Sequence, residues 1–267
     1  MQEELRFCNL VRNVEVDAAA FAIEMLTTVP ADRNYIIVFT PRSGSSWLTS
    51  ILSATGQLGR PEEYLNPNFV ADVVRSTNAR EPDQLIKLLR RRRKTPNGVF
   101  GIEVRALDVM LFGEPEFFAE FGPDTVIFCL WRDNIVAQGI SLYRAVASRR
   151  FHSYEAPAAP PDYAADQIEH WIRHVLQIEN GNLAMLQRRG LPARFLRYED
   201  LVRNRAVTLA LFAEPLNVSL LPDVLQARAP GELGKIADEW NRVAEQRFRQ
   251  EAAEFVAGIE QQRRVRR

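Results

Sequence analysis

A β-branched and aromatic run, "NYIIVFT" (34 to 40), empties into a turn, Pro41-Arg42-Ser43-Gly44-Ser45-Ser46, and apolar residues at helical spacing follow it (Trp47, Leu48, Ile51, Leu52). A small-residue loop between a strand and a helix presents unpaired backbone N–H groups and the positive end of the helix dipole at one point, which is chemistry suited to an anion. Gly44 lets the backbone approach closely, Ser43, Ser45 and Ser46 add hydroxyl donors, and Arg42 supplies a charge that amides lack. Alone, the turn also reads as a helix cap beside a solvated arginine. A nucleoside-triphosphate loop of the usual type requires Gly-x-x-x-x-Gly-Lys-Ser/Thr. No Gly-Lys-Ser or Gly-Lys-Thr occurs in the chain, so a phosphotransferase is the second reading.

Further residues with chemical potential lie elsewhere. The carboxylates Glu62 and Glu63 stand just past the first helix of that unit. Arg132 ends the run "TVIFCLW", and its following helix carries Gln138, Ser141 and Arg144. Arg132 and Ser141, nine residues apart, converge only if that helix folds back beside its strand end, where the two donors would clamp another phosphate. Otherwise they are a carbonyl-capping arginine and a helix-surface serine. Three histidines exist, His152, His170 and His174. The last two are four apart on one helix face but lack an acidic or cysteine partner, so a surface pair is expected and no metal site.

The elements that must position these groups are four strands, "NYIIVFT", "GVFGIEV" (98 to 104), "TVIFCLW" (125 to 131) and "ARFLRY" (193 to 198). The first and third are almost uninterrupted apolar runs, as in strands covered on both faces. Helical patterns over 133 to 149 and 163 to 189 alternate with the strands, which predicts a three-layer α/β fold with a mostly parallel central sheet. Its ligands would lie beyond the carboxyl ends of the strands. Residues 1–33 include the helical pattern "VDAAAFAIEMLTTVP" and read as a helical N-terminal extension, with a single domain over 34–267.

The chain has 267 residues, 46% hydrophobic and 25% charged, with 34 basic and 34 acidic residues. That balance gives no global field for nucleic acid. Five consecutive basic residues, Arg90 to Lys94, read as a solvated helix end; peripheral contact with an anionic membrane is the alternative. Cys8 and Cys129 form no disulfide framework or ligand cluster, and Cys129 falls in an apolar run where a small buried thiol fits. The N-terminus lacks the order of a secretory signal, and no apolar run reaches the length of a membrane span. A cytoplasmic protein is expected.

In order along the chain, "RSGSSWL", "GRPEEYLNP", "KTPNGVFG", "WRDNIVAQGISLYRAVASRRF", "YEDLVRN" and "ADEW" resemble the 3′-phosphoadenosine 5′-phosphosulfate (PAPS) dependent sulfotransferases, in particular their bacterial carbohydrate branch. The resemblance runs from about Tyr35 to Trp240 and implies a P-loop-like sulfotransferase fold. It implies that Arg42, Ser43, Gly44, Ser45 and Ser46 cradle the 5′-phosphosulfate, that Arg132 and Ser141 bind the 3′-phosphate, and that Lys235 closes over the nucleotide. Arg42 stands where cytosolic members usually carry lysine. The acceptor would be a carbohydrate or glycolipid, the co-substrate PAPS, and a homodimer is compatible with the family.

Sulfuryl transfer to an alcohol needs a base for the hydroxyl proton and cations or amides for the charge on the transferring group, with no metal required in principle. Arg42 and the loop suit the second task. For the first, the resemblance points to Glu63 in "GRPEEYL", with Glu62 as its exposed neighbour. The chain departs from the family at Glu103, where lysine is common. Strand alternation would put Arg105 on the same face as Glu103. Arg105 then either replaces that lysine, oriented by an ion pair to Glu103, or the pocket has changed its acceptor; a solvated strand-end glutamate is the plainer reading. A catalytically idle nucleotide-binding protein remains the reading from a different class.

Overall fold

The computed structural model describes residue 4 and residues 6–151, 154–156, 158–226 and 237–264. Helices α1 (Phe7–Val11) and α2 (Ala18–Thr27) precede β1 (Arg33–Val38), which leads through the 39–44 loop into α3 (Ser45–Ala54). Next come α4 (Val70–Thr77), α5 (Pro82–Arg92), β2 (Val99–Val104), α6 (Ala106–Phe112), α7 (Glu114–Ala119), β3 (Val126–Trp131) and α8 (Ile135–Ser148). The chain continues with α9 (Ala165–Arg188), β4 (Ala193–Arg197), α10 (Tyr198–Leu201), α11 (Arg205–Ala213), α12 (Pro222–Gln226), α13 (Glu239–Glu251) and α14 (Ala253–Arg264).

The sheet has the order β2-β1-β3-β4 and is parallel throughout. The two uninterrupted apolar runs are its central strands, β1 and β3, where both faces are covered; β2 at the edge is buried on both faces as well. On one face Tyr35 and Ile37 pack with Leu48, Ile51 and Leu52 of α3 and with Leu209 and Phe212 of α11. On the other, Ile36, Val38, Ile102 and Cys129 meet Phe7, Val74, Leu85, Val109 and Met185. Fully burying each such Leu or Ile contributes about 1.5–3 kcal/mol. A third cluster joins α8 and α9 to α13 and α14 through Ile140, Ile172, Phe248 and Ile259. At 5 residues, β4 is an edge strand with Arg194 and Phe195 exposed. Burial pushes the Cys129 thiol up to about 12, in keeping with a small apolar filler.

Within the N-terminal segment, Asp17 caps α2 by accepting from Ala19 N (2.9 Å) and Ala20 N (3.0 Å). Phe7 and Val11 of α1 belong to the same core as the sheet. The basic run differs from a simple solvated end. Arg90 donates to Asn34 Oδ1 (3.1 Å), Glu120 O (2.7 Å) and Ala31 O (3.0 Å), and Arg92 pairs with Glu24 of α2. These guanidiniums fasten α5 to the segments around it, a use of positive charge that composition does not reveal. No described helix is long and apolar enough to cross a membrane.

Candidate active site

All four strands point the same way, so the segments after β1, β2, β3 and β4 gather at one edge of the sheet. Buried polar side chains tie them together. Asn182 of α9 donates to Phe39 O (2.7 Å) and accepts from Ala106 N (2.8 Å), joining the ends of β1 and β2. Gln138 of α8 donates to Thr40 Oγ1 (2.8 Å) and Pro41 O (2.7 Å), holding the loop after β1 against α8. After β3, the Asp133 and Asn134 amides donate to the Glu199 carboxylate at 3.0 and 3.2 Å. Arg263 of α14 donates to Arg132 O (2.6 Å) and Asp133 O (2.8 Å), and a buried ion pair with Glu179 (2.8 Å) holds it there.

The loop itself is tightly wound. Arg42 and Gly44 both have positive φ, 61° and 89°. Ser43 folds its hydroxyl onto Thr40 O (2.7 Å) and is fully buried, so it shapes the turn from within. A Cβ on Gly44 would lie 2.3 Å from Cδ2 of Tyr198, which favours glycine for steric as well as conformational reasons. Tyr198 in turn lies under the Arg132 guanidinium, 4.9 Å from ring centre to Cζ.

The loop and the β3 end meet at Arg42. Arg132 Nη1 donates to Arg42 O (3.0 Å), while Arg42 Nε donates to Ser141 Oγ (2.9 Å) and Nη1 to Phe151 O (2.6 Å). Helix α8 therefore does fold back beside its strand, and Arg132 and Ser141 are linked through Arg42. Arg132 also caps a carbonyl in this arrangement, yet its Nε is buried with no partner. Burial, followed by the charge of Arg132, lowers the pKa of Arg42, and burial lowers that of Arg132. Arg42, Ser141, Arg144, Ser148, Arg150 and Asn241 line a small cleft. Its wall is closed by Arg144, which pairs with Asp238 (2.6 Å) of the "ADEW" segment.

The carboxylates gather at the end of β2, where Glu103 N donates to Glu62 O (3.1 Å). Glu62 is exposed, Glu63 is half-buried and accepts from Asn66 Nδ2 at 2.8 Å. Glu103 is 3% exposed, so the solvated strand-end reading is overturned. The expected Glu103–Arg105 ion pair is also absent. Arg105 binds Asp108 through Nε (2.8 Å) and Nη2 (2.7 Å) and caps α6. Strand β2 ends at Val104, so its alternation does not extend to Arg105. Burial acts to lower the Arg105 pKa, but the hydrogen bond and charge of Asp108, with a smaller contribution from the charge of Glu63, raise it overall. His170 and His174 flank Trp171 edge-on at 5.0 and 5.4 Å. Lys235 and His152 lie outside the described residues.

Tyr198, Gln138, Asn182 and Arg150 received no role from the sequence. Asn182 had a signal, since it occupies a polar position in the buried stripe of α9; Tyr198 had only its place at the end of a strand.

A parallel α/β sheet whose first strand runs through a glycine-serine-arginine loop into a helix, with two guanidiniums gathered at that loop, defines a protein that handles an anionic group. The chain belongs to the Stf0 sulphotransferase family, whose model matches residues 34–251, and it is a sulfotransferase. Trehalose 2-sulfotransferase of Mycobacterium tuberculosis (strain ATCC 35801 / TMC 107 / Erdman) is 26% identical, over 79% of this chain and 93% of the relative. The protein of the same name from Mycolicibacterium smegmatis is also 26% identical, over 77% and 92%. Among solved structures, the crystal structure of sulfotransferase STF1 from Mycobacterium tuberculosis H37Rv aligns with a TM-score of 0.49 at 13% identity, covering 91% of this chain and 83% of that one.

Proposed function

We propose that this enzyme moves the sulfuryl group of PAPS to a hydroxyl of a carbohydrate or glycolipid by in-line displacement. The observation that carries the donor assignment is electrostatic. Among the described residues neither Arg42 nor Arg132 forms an ion pair, although both are largely withdrawn from water. Cations left in that state are costly until an anion joins them. The unpartnered Arg132 Nε, beside a second guanidinium at the Gly44 turn, fits a ligand with more than one anionic group. The carbohydrate acceptor rests on the activity named for the two relatives.

PAPS supplies an activated sulfuryl group with a phosphate leaving group. In the proposed mechanism, Ser45 and Ser46 and the first-turn amides of α3 hold the phosphosulfate, and Gly44 lets the turn pack against Tyr198. Arg132, Ser141 and the arginine-lined cleft bind the 3′-phosphate. The chain from Arg132 to Ser141 makes Arg42 the bridge between the two anion positions, where its charge offsets what develops on the transferring group. Glu63 takes the acceptor's hydroxyl proton on a carboxylate oxygen; Asn66 orients it and Arg105 lies within electrostatic reach. Cys8 and Cys129, both free thiols, are compatible with a cytoplasmic setting.

Calorimetry with PAPS and with 3′,5′-adenosine bisphosphate tests the donor site. Arg132→Ala and Ser141→Ala should weaken both ligands alike, by roughly tenfold or more for the charged contact. Folded variants with wild-type affinity for both would refute the assignment.

A further inference from the structure

Glu103 is a buried acid at the end of β2 with no ion pair among the described residues to balance it. It stands in β2 in register with Ile37 of β1, the strand that delivers the anion-binding loop, and on the sheet face covered by α3. Its side chain is 3% exposed, its Oε1 is buried without a partner, and the Ser45 hydroxyl at the first residue of α3 lies close enough to act on the carboxyl. The ionisable groups that face it are Glu63 and Glu62 from the segment after α3, with Tyr35 of β1 and Tyr64 nearby. None of these is a cation. Arg105, two residues away, is occupied by both oxygens of Asp108. An ionised Glu103 would be an unpaired charge away from water beside two other carboxylates, an arrangement proteins avoid by retaining the proton.

We propose that Glu103 is a proton-linked positioning residue: as a neutral acid it lets the anionic donor group seat at the Ser45 turn, and its ionisation opposes that binding. This deepens the donor assignment made above and rests on it. Burial, then the charge of Glu63, and less strongly that of Glu62, push the Glu103 carboxyl well above the ordinary carboxylate range, against the opposing effect of the Ser45 hydroxyl. Neutrality resolves what is otherwise a contradiction, a third acidic side chain under a turn built for anions. Linkage then fixes the behaviour in both directions. A bound anion raises the proton affinity of Glu103, and loss of that proton weakens the anion by the same factor.

Two measurements test this, and they can fail separately from the donor assignment. The first is a carbon NMR titration of glutamate-labelled wild-type protein, with Glu103→Gln identifying the Glu103 signal. That signal should remain in its acid position where surface glutamates have ionised, and titrate higher still with 3′,5′-adenosine bisphosphate bound. The second is the affinity for that bisphosphate as pH rises. Wild-type affinity should fall by up to about tenfold per pH unit once the free-enzyme Glu103 ionises. Glu103→Gln should lack this component, and the ratio of the two proteins cancels the ligand's own titration. A Glu103 signal that ionises with the surface glutamates overturns the proposal, as does an identical pH dependence in the variant. Failure of wild-type protein to bind the bisphosphate at any pH would instead overturn the donor assignment.

Discussion

Replacing Gly44 by alanine tests how the anion loop is held. The added Cβ would sit 2.3 and 2.4 Å from Cδ2 and Cε2 of Tyr198, about 1 Å inside ordinary contact, so the ring must move. Holding φ near 89° with a side chain costs about 1–2 kcal/mol. Displacing Tyr198 forfeits its contact with Arg132, worth about 0.5–2 kcal/mol. Together these give a loss of about 2–4 kcal/mol, read as a lower urea midpoint at unchanged slope. Donor affinity should fall as well, because the same movement releases Arg132. The double variant Gly44→Ala/Tyr198→Ala isolates the clash: its destabilisation should fall short of the sum of the two single changes by about 1 kcal/mol or more. A Gly44→Ala protein with wild-type stability and affinity, or strictly additive single and double variants, would refute the packing argument.

Glu63→Gln should retain donor affinity while transfer falls by roughly 10²-fold or more, and Glu62→Gln should lose much less, as steady-state kinetics will measure. Arg263→Ala removes the cation paired with Glu179, which is 4% exposed, and should destabilise the protein by about 3–5 kcal/mol in urea, with much of the loss recovered when Glu179→Leu is added. Stability should also respond to pH through Glu103. Its folded-state pKa is raised, so the folded form holds the proton more tightly; stability is greatest below the ordinary carboxylate pKa and declines as pH rises towards the raised value. Melting curves should therefore show Glu103→Gln gaining on the wild type as pH increases from acid to neutral, and a constant difference between the two would contradict that sign.

Strands β1 and β3 were legible because two-sided burial forces an unbroken apolar run, and the loop after β1 because glycine, serine and arginine at a strand-to-helix junction have few other joint uses. Contacts between distant segments left no such trace. The hydrogen bond between Arg42 and Ser141 spans 99 positions, and either residue alone is compatible with a surface role. The basic run misled for a related reason: charge says nothing about whether a protein oxygen is waiting for it, as Asn34 and Ala31 wait for Arg90. Arg105 was read as a strand residue, although Asp108 three positions later matches a residue that caps the next helix. Glu103 could be placed on a strand but not weighed, since its meaning depends on which charges surround it.

Incubating the purified protein with radiolabelled PAPS and a panel of trehalose, glycolipids and lipopolysaccharide fragments tests sulfuryl transfer most directly. Label should appear on at least one saccharide, with 3′,5′-adenosine bisphosphate formed in equal amount and the product mass raised by one sulfuryl group. PAPS binding without labelling of any acceptor, or magnesium-dependent turnover of ATP by the same preparation, would contradict the account.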